Sequence, residues 1–368
     1  MKFKINKRDL SKHISIGQKA ISSRSTLQIL DGILLIAKDE KLIIRGTDLH
    51  LSIETSVGCN VMEEGSIVVN SRIFGDIVRK LPDSPITIEV ENTNIKILCD
   101  NSVFNISGNQ GSEYPELPIV VEKDSFLIPM DIFRNTIRQI VFATSQDESR
   151  PSLTGALLEI KDNTINFVAL DGYRLAFKSF KTQSDIEEKM IIPAPTLVEL
   201  SKIMEDSDDD VNITISKGYV IFRIDSTIIY SKLLEGQFFN YSDIIRNHHK
   251  TTVIVDKREL QNGLERASLL AKEDRANLVR LNIEDGKISI SSNTEIGSAY
   301  EVVDSLQEGE NIKIAFNSRY ILEGIRVIDS DRIKLNFMGS INPCIIEPID
   351  DNNYIYLVLP VRLAQEDS

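Results

Sequence analysis

Ile67-Val68-Val69-Asn70-Ser71-Arg72 and Ile314-Ala315-Phe316-Asn317-Ser318-Arg319 decide how this chain is read. Each is an apolar, strand-like run that meets Asn-Ser-Arg and continues as a helical pattern, Arg72 to Leu81 in one case and Arg319 to Ile328 in the other. The two copies lie 247 positions apart. Between them, Ile191-Ile192-Pro193 leads into Pro195 to Glu205 in the same way. Upstream of each copy sits a second strand and helix. These are Phe3-Lys4-Ile5 with Asp9 to Ser23, Phe126 to Pro129 with Asp131 to Ser145, and Val253-Ile254-Val255 with Lys257 to Lys272. Leu30-Asp31-Gly32 aligns with Leu153-Thr154-Gly155 at a shift of 123, about half the larger offset. Recurrence at a fixed spacing marks an internal repeat, and three units fill the 368 residues.

Between the helices run alternating segments such as Leu42 to Leu49, Thr164 to Ala169 and Val211 to Ser216. Period-two alternation with β-branched enrichment reads as antiparallel strands with one wet face. Each unit is therefore expected to hold two helices packed on one face of about eight strands, an α+β architecture. Polar, aperiodic stretches near Val120–Ser125 and Arg246–Thr251 read as linkers, giving domains 1–122, 123–248 and 249–368.

Apolar residues make up 42% and charged residues 26% of the chain, the balance of a globular protein. No apolar run approaches the roughly 18 residues of a membrane span. Met1-Lys2-Phe3-Lys4-Ile5 alternates as a strand does and lacks the apolar core of a signal peptide, so the cytoplasm is the expected compartment. Cys59, Cys99 and Cys344 are odd in number and widely spaced, and read as small core side chains. The net charge of −13 by itself disfavours nucleic acid. Its distribution does not: the predicted helices sum to +7, leaving −20 elsewhere. A basic surface lined by helices could follow phosphates without reading bases, with an acidic exterior around it.

Motifs for catalysis are missing. There is no phosphate-cradling glycine loop, no His-Glu-x-x-His and no Gly-x-Ser-x-Gly. His13, His50, His248 and His249 form no ligand pattern, and His248-His249 reads as surface. The run Glu205-Asp206-Ser207-Asp208-Asp209-Asp210 lacks the glycine and spacing of a calcium loop and reads as a solvated loop. No catalytic residue, metal or cofactor is expected. A metal-dependent nuclease or hydrolase using that acidic run, and a scaffold that binds only proteins, are the readings kept beside a DNA-binding one.

Several segments together resemble the bacterial sliding clamp family, the beta subunit of DNA polymerase III. They are Thr26 to Leu30, Gly46-Thr47-Asp48-Leu49, Glu113 to Pro118, Arg150 to Gly155, Ala169-Leu170-Asp171-Gly172-Tyr173-Arg174-Leu175-Ala176, Phe316 to Tyr320 and Tyr356 to Leu363. The resemblance covers the whole chain. It implies a non-catalytic, ring-shaped, head-to-tail homodimer with the DNA clamp fold, helices lining the hole and sheets outside. The ring would encircle double-stranded DNA without sequence preference and tether the replicative polymerase, the clamp loader and other clamp-binding-motif proteins. It gives processivity through effective concentration.

By the same resemblance, Arg24, Arg72 and Arg150 face DNA, with Gln146 beside them, while Ala194-Pro195 replaces charged residues of the family. A pocket for partner peptides would take Leu153, Leu170, Gly172, Tyr173, Arg174 and Leu175 from the middle of the chain. Ile244, Asn317, Tyr320 and Ile341 would join it, with Leu357, Leu359, Pro360, Val361 and Arg362 from the tail. Arg174 and Arg362 are expected to offer donors at its rim. Phe239 and Asp243 depart from common family choices there. Phe104 and Ile106 would meet Leu269 and Leu270 of a second copy across the subunit interface, where an exposed strand edge supplies backbone pairing.

Overall fold

The computed structural model describes residues 1–21, 27–121, 124–205, 207–245, 249–272 and 277–362. Among them lie six α-helices: α1 Lys7–Gly17, α2 Ser71–Lys80, α3 Met130–Ile140, α4 Ala194–Ile203, α5 Lys257–Ala271 and α6 Ser318–Arg326. They occupy the six places that the repeats assign to helices. The Asn-Ser-Arg recurrence has a local cause. Asn70 Oδ1 accepts a hydrogen bond from the Ile73 amide at 3.0 Å, and Asn317 Oδ1 accepts one from the Arg319 amide at 3.0 Å. Both asparagines are helix N-caps, satisfying amides that the first turn leaves without partners.

Two of the predicted helices end early. The first stops at Gly17 and tightens into a 3-10 turn over Gln18–Ala20, and the third stops at Ile140 before a similar turn over Val141–Ala143. Gly17 packs closely at that end: a Cβ there would sit 2.9 Å from Ile44 Cγ2 on the neighbouring strand. Residues 22–26 lie outside the described residues.

By internal packing the chain forms two compact units, residues 1–133 with 195–233 and residues 134–194 with 234–368. This differs from the threefold division of the sequence because the sheets run on from one repeat into the next. The first unit holds an antiparallel five-stranded sheet that ends in the edge strand Ser102–Ser107. It also holds a nine-stranded sheet in which Leu51–Gly58 of the first repeat pairs with Thr227–Lys232 of the second. The hydroxyls of Thr55 and Thr227 meet at 2.9 Å in that seam. The second unit holds a twelve-stranded sheet in which Arg174–Lys181 pairs with Tyr354–Val358.

The expectation of one wet face fails for the central strands. Gly155–Lys161 is buried at every position but its last, and Tyr354–Val358 is buried throughout. Irregular segments cover the faces left by the helices. Tyr114 caps Leu34 and Val68 in the first unit, donating its hydroxyl to the Gly32 carbonyl at 3.0 Å. In the second unit the stretch 234–245 lies over Leu157, Val168, Leu175, Ile355 and Leu357. Cys99 and Cys344 are buried and Cys59 half-buried, and all three are free thiols. Burial pushes the Cys59 pKa up to about 11, so it stays protonated at neutral pH.

Candidate functional site

The predicted peptide pocket falls within the second unit. Its floor is built by cross-strand pairs, Leu170 opposite Leu175 and Leu175 opposite Leu357. With Leu153 and Ile244 these residues share one apolar cluster. Leu170, Leu175 and Leu357 are all less than 10% exposed, so they support the site from below. Exposed apolar side chains stand beside them, Tyr173 at 60% and Leu359 at 39%, and Ile341 is exposed in the turn before Cys344–Pro348.

The turn before Leu175 is fixed by its own side chain. Asp171 Oδ1 accepts from the amides of Tyr173 at 2.9 Å and Arg174 at 3.1 Å, and Gly172 takes φ +94°, where a Cβ would be strained. The tail is held on both sides. The Leu359 amide donates to the Tyr173 carbonyl at 2.9 Å, and the Val361 amide donates to the Ala315 carbonyl at 2.8 Å. Pro360, between them, has no amide hydrogen to satisfy.

Arg174 is a correction to the sequence reading. It is buried, and its guanidinium is turned inward. Nε donates to Asp171 at 3.0 Å, one terminal nitrogen to Glu323, and the other to the Phe142 carbonyl at 2.7 Å. The guanidinium carbon lies 5.3 Å from the Phe142 ring centre and 4.7 Å from that of Tyr320. Tyr320 in turn stacks on Tyr173 with centroids 5.8 Å apart. The result is a column of Phe142, Arg174, Tyr320 and Tyr173 that runs from the core to the surface. Arg174 therefore places the rim ring and is no free donor. Burial raises the pKa of Glu323, but hydrogen bonds from Arg319 and Arg174 outweigh it and hold the carboxyl below its ordinary value. Tyr356 donates to the Tyr320 carbonyl at 2.6 Å, which fixes the start of α6. Asn317, expected in the pocket, serves as the cap of that helix. Arg362 is exposed, and Phe239 and Asp243 lie exposed on the covering stretch, where Asn240 donates to Asp243 at 2.6 Å.

Of the DNA-facing candidates, Arg24 lies outside the described residues. Arg72, on the first turn of α2, is exposed, as are Gln146 and Arg150 before the Pro151–Leu153 turn. Most other helix cations are paired. Lys12 meets Glu205 at 2.8 Å, Arg79 meets Asp76 at 2.5 Å, Arg266 meets Glu301 at 2.7 Å and Arg326 meets Glu265 at 2.8 Å. Lys19 and Lys202 both face Glu199. Glu205, Asp76, Glu265 and Glu199 were already counted within the predicted helices, so these pairs leave the basic excess standing, and Arg72 has no carboxylate partner among the described residues. At the expected interface, Phe104 is exposed on the edge strand Ser102–Ser107, and Ile106 is half-buried against the core. Leu269 is exposed on α5, while Leu270 is half-buried beside Gly297. Among the described residues, no group of three or more His, Cys, Asp or Glu is placed to share a metal ion, and no helix is long and apolar enough to cross a membrane.

Three family models, the N-terminal, central and C-terminal domains of the DNA polymerase III beta subunit, match residues 1–118, 127–240 and 242–362 in order. The chain belongs to the DNA polymerase III beta-subunit family. The beta sliding clamp of Bacillus subtilis strain 168 is 36% identical over 378 aligned positions, covering 98% of this chain and all of that protein. A beta sliding clamp of Staphylococcus aureus is 35% identical over 94% of each. The crystal structure of the Bacillus subtilis sliding clamp superposes with a TM-score of 0.95 at 36% identity, over 99% of this chain and 100% of that one. The Pseudomonas aeruginosa clamp, solved bound to griselimycin, gives 0.94 at 27% identity over the same shares. The three-domain clamp fold and the role of a DNA sliding clamp follow from this membership. So does the place of a non-catalytic processivity subunit in replication, and the nuclease and scaffold readings are set aside.

Tyr241, Glu159, Phe142 and Glu323 shape this site and were not singled out from sequence. Each acts through a partner at least 32 positions away, and nothing in local composition marks it.

Proposed function

We propose that this clamp closes with a second copy, head to tail, into a ring around duplex DNA. Short segments of the replicative polymerase, the clamp loader and other partners would bind above the floor of Leu170, Leu175 and Leu357. The observation that carries this reading is the open apolar rim of Tyr173 and Leu359 over that floor. Exposed apolar surface with a built base marks an interaction site, and a few anchors supply most of the affinity in such sites. The domain limits 1–122, 123–248 and 249–368 accord with the family matches and with the repeat spacing. Arg24, Arg72, Arg150 and Gln146 would meet phosphates, and the pairing of the other helix cations fits a ring that holds DNA loosely. The work would be done in the cytoplasm.

Truncation of residues 359–368 tests the pocket. It removes Leu359 and both backbone tethers of the tail, and it should abolish binding of a clamp-binding peptide while sparing dimerisation. Equal peptide affinity for truncated and full-length protein would place the partner site elsewhere.

A further inference from the structure

The stretch 234–245 has no strand, yet it forms the outer cover of the apolar sheet face. It is tied at two points. The Leu234 amide donates to the Ile191 carbonyl at 3.0 Å. At the other end the Tyr241 hydroxyl reaches the Glu159 carboxylate, which sits almost fully buried on Gly155–Lys161. Lys189 Nζ lies 2.5 Å from the same carboxylate, and Asn166 Nδ2 donates to it at 3.4 Å. The charge is therefore balanced and the acceptor oxygens are used. Burial raises the Glu159 pKa, but the bonds from Lys189, Tyr241 and Asn166 outweigh it and keep the group ionised at neutral pH. The Tyr241 ring packs on Phe177 at 5.7 Å. From this anchored residue the chain turns: the amides of Ile244 and Ile245 both donate to the Tyr241 carbonyl, at 3.0 and 3.2 Å. Ile244 is thus tied to Tyr241 through the backbone, and Tyr241 to Glu159 through its hydroxyl.

We propose that the Tyr241–Glu159 hydrogen bond is the latch that positions the Ile244 wall of the partner groove, making Tyr241 a positioning residue for peptide affinity. The inference rests on the reading of this groove as the partner site. A hydroxyl held by a buried, charge-balanced carboxylate fixes one geometry, and a preformed wall spares the peptide the cost of ordering it. Without the bond the ring can still pack, but the turn that carries Ile244 has no fixed endpoint.

Tyr241→Phe removes the hydroxyl and keeps the ring. Titration of a fluorescein-labelled clamp-binding peptide with two apolar anchors should show affinity reduced by about tenfold, the loss of one charge-assisted bond. Dimer mass should be unchanged. Glu159→Leu should weaken the peptide to a similar extent, and the double variant should be no weaker than either, since both remove the same bond. Glu159→Gln keeps an acceptor and should bind within about twofold of the parent. That rescue separates positioning from a general loss of stability. Parent affinity in Tyr241→Phe, or additive losses in the double variant, would overturn the latch. If Tyr241→Phe fails to fold, the Leu and Gln variants of Glu159 still decide, and equal affinity between those two overturns it. Loss of binding on tail truncation together with full binding by Tyr241→Phe would sink the latch alone. Binding that survives truncation would sink the groove reading itself.

Discussion

Arg174 joins three acceptors, one local at Asp171 and two distant at Phe142 and Glu323, and lies between two rings. Its removal leaves the partly buried Asp171 without its cation and Glu323 with Arg319 alone, and a broken buried pair costs on the order of 3–5 kcal/mol. Arg174→Ala should lower the urea midpoint accordingly, and Arg174→Lys should recover little, because one ammonium cannot serve a planar fork of acceptors. The pH profile carries a second signature. Glu323 has a lowered folded-state pKa, so its stabilisation is present above the ordinary carboxylate range of about 4.3 and is lost as pH falls through the lower folded value. The parent should hold a level melting temperature near neutrality and fall in acid, and Arg174→Ala should fall less steeply. An identical slope in both would remove Glu323 from this account. The sequence singled out Arg174, through the Leu-Asp-Gly-Tyr-Arg segment. It could not orient the side chain, because Glu323 lies 149 positions away and nothing near Arg174 announces it.

Helices and edges follow from shorter-range rules, and here the sequence was more legible. Asn70 and Asn317 begin α2 and α6 where the repeat put them, because capping is a matter of a few neighbouring residues. The ends of α1 and α3 were read too far along, because both helices tighten into 3-10 turns that nothing in the local pattern marks. The edge strand Ser102–Ser107 presents Phe104 beside an open row of backbone groups, and Leu269 stands exposed on α5. Leu270 is partly buried within its own subunit, so the pair to test is Leu269 with Phe104. Leu269→Glu combined with Phe104→Asp should give folded monomers by sedimentation, because a charge desolvated at an interface without a partner costs several kcal/mol. A dimer of unaltered strength would show that these side chains face elsewhere.

At the scale of the whole chain, three repeats were legible but their merging into two packed units was not. Spacing records the ancestry of a unit. It does not say which strand edges meet, and the seam between Leu51–Gly58 and Thr227–Lys232 joins residues about 170 positions apart. Hydrogen exchange should expose this difference. Amides of residues 210–232 should open together with those of residues 32–58, and separately from residues 155–181, although the family places 127–240 in one domain. Common exchange behaviour across 127–240, distinct from 32–58, would contradict the seam. The twelve-stranded sheet carries one more consequence, which concerns the order of synthesis. Tyr354–Val358 is the last strand in chain order, yet it sits between Arg174–Lys181 and Cys344–Pro348. Until the ribosome has made it, the Arg174 strand waits with an open, apolar edge, for an interval in which nearly half the protein is translated. Unpaired edges of this kind are where nascent chains associate wrongly. The growing clamp therefore depends on whatever shields that edge until its final strand arrives.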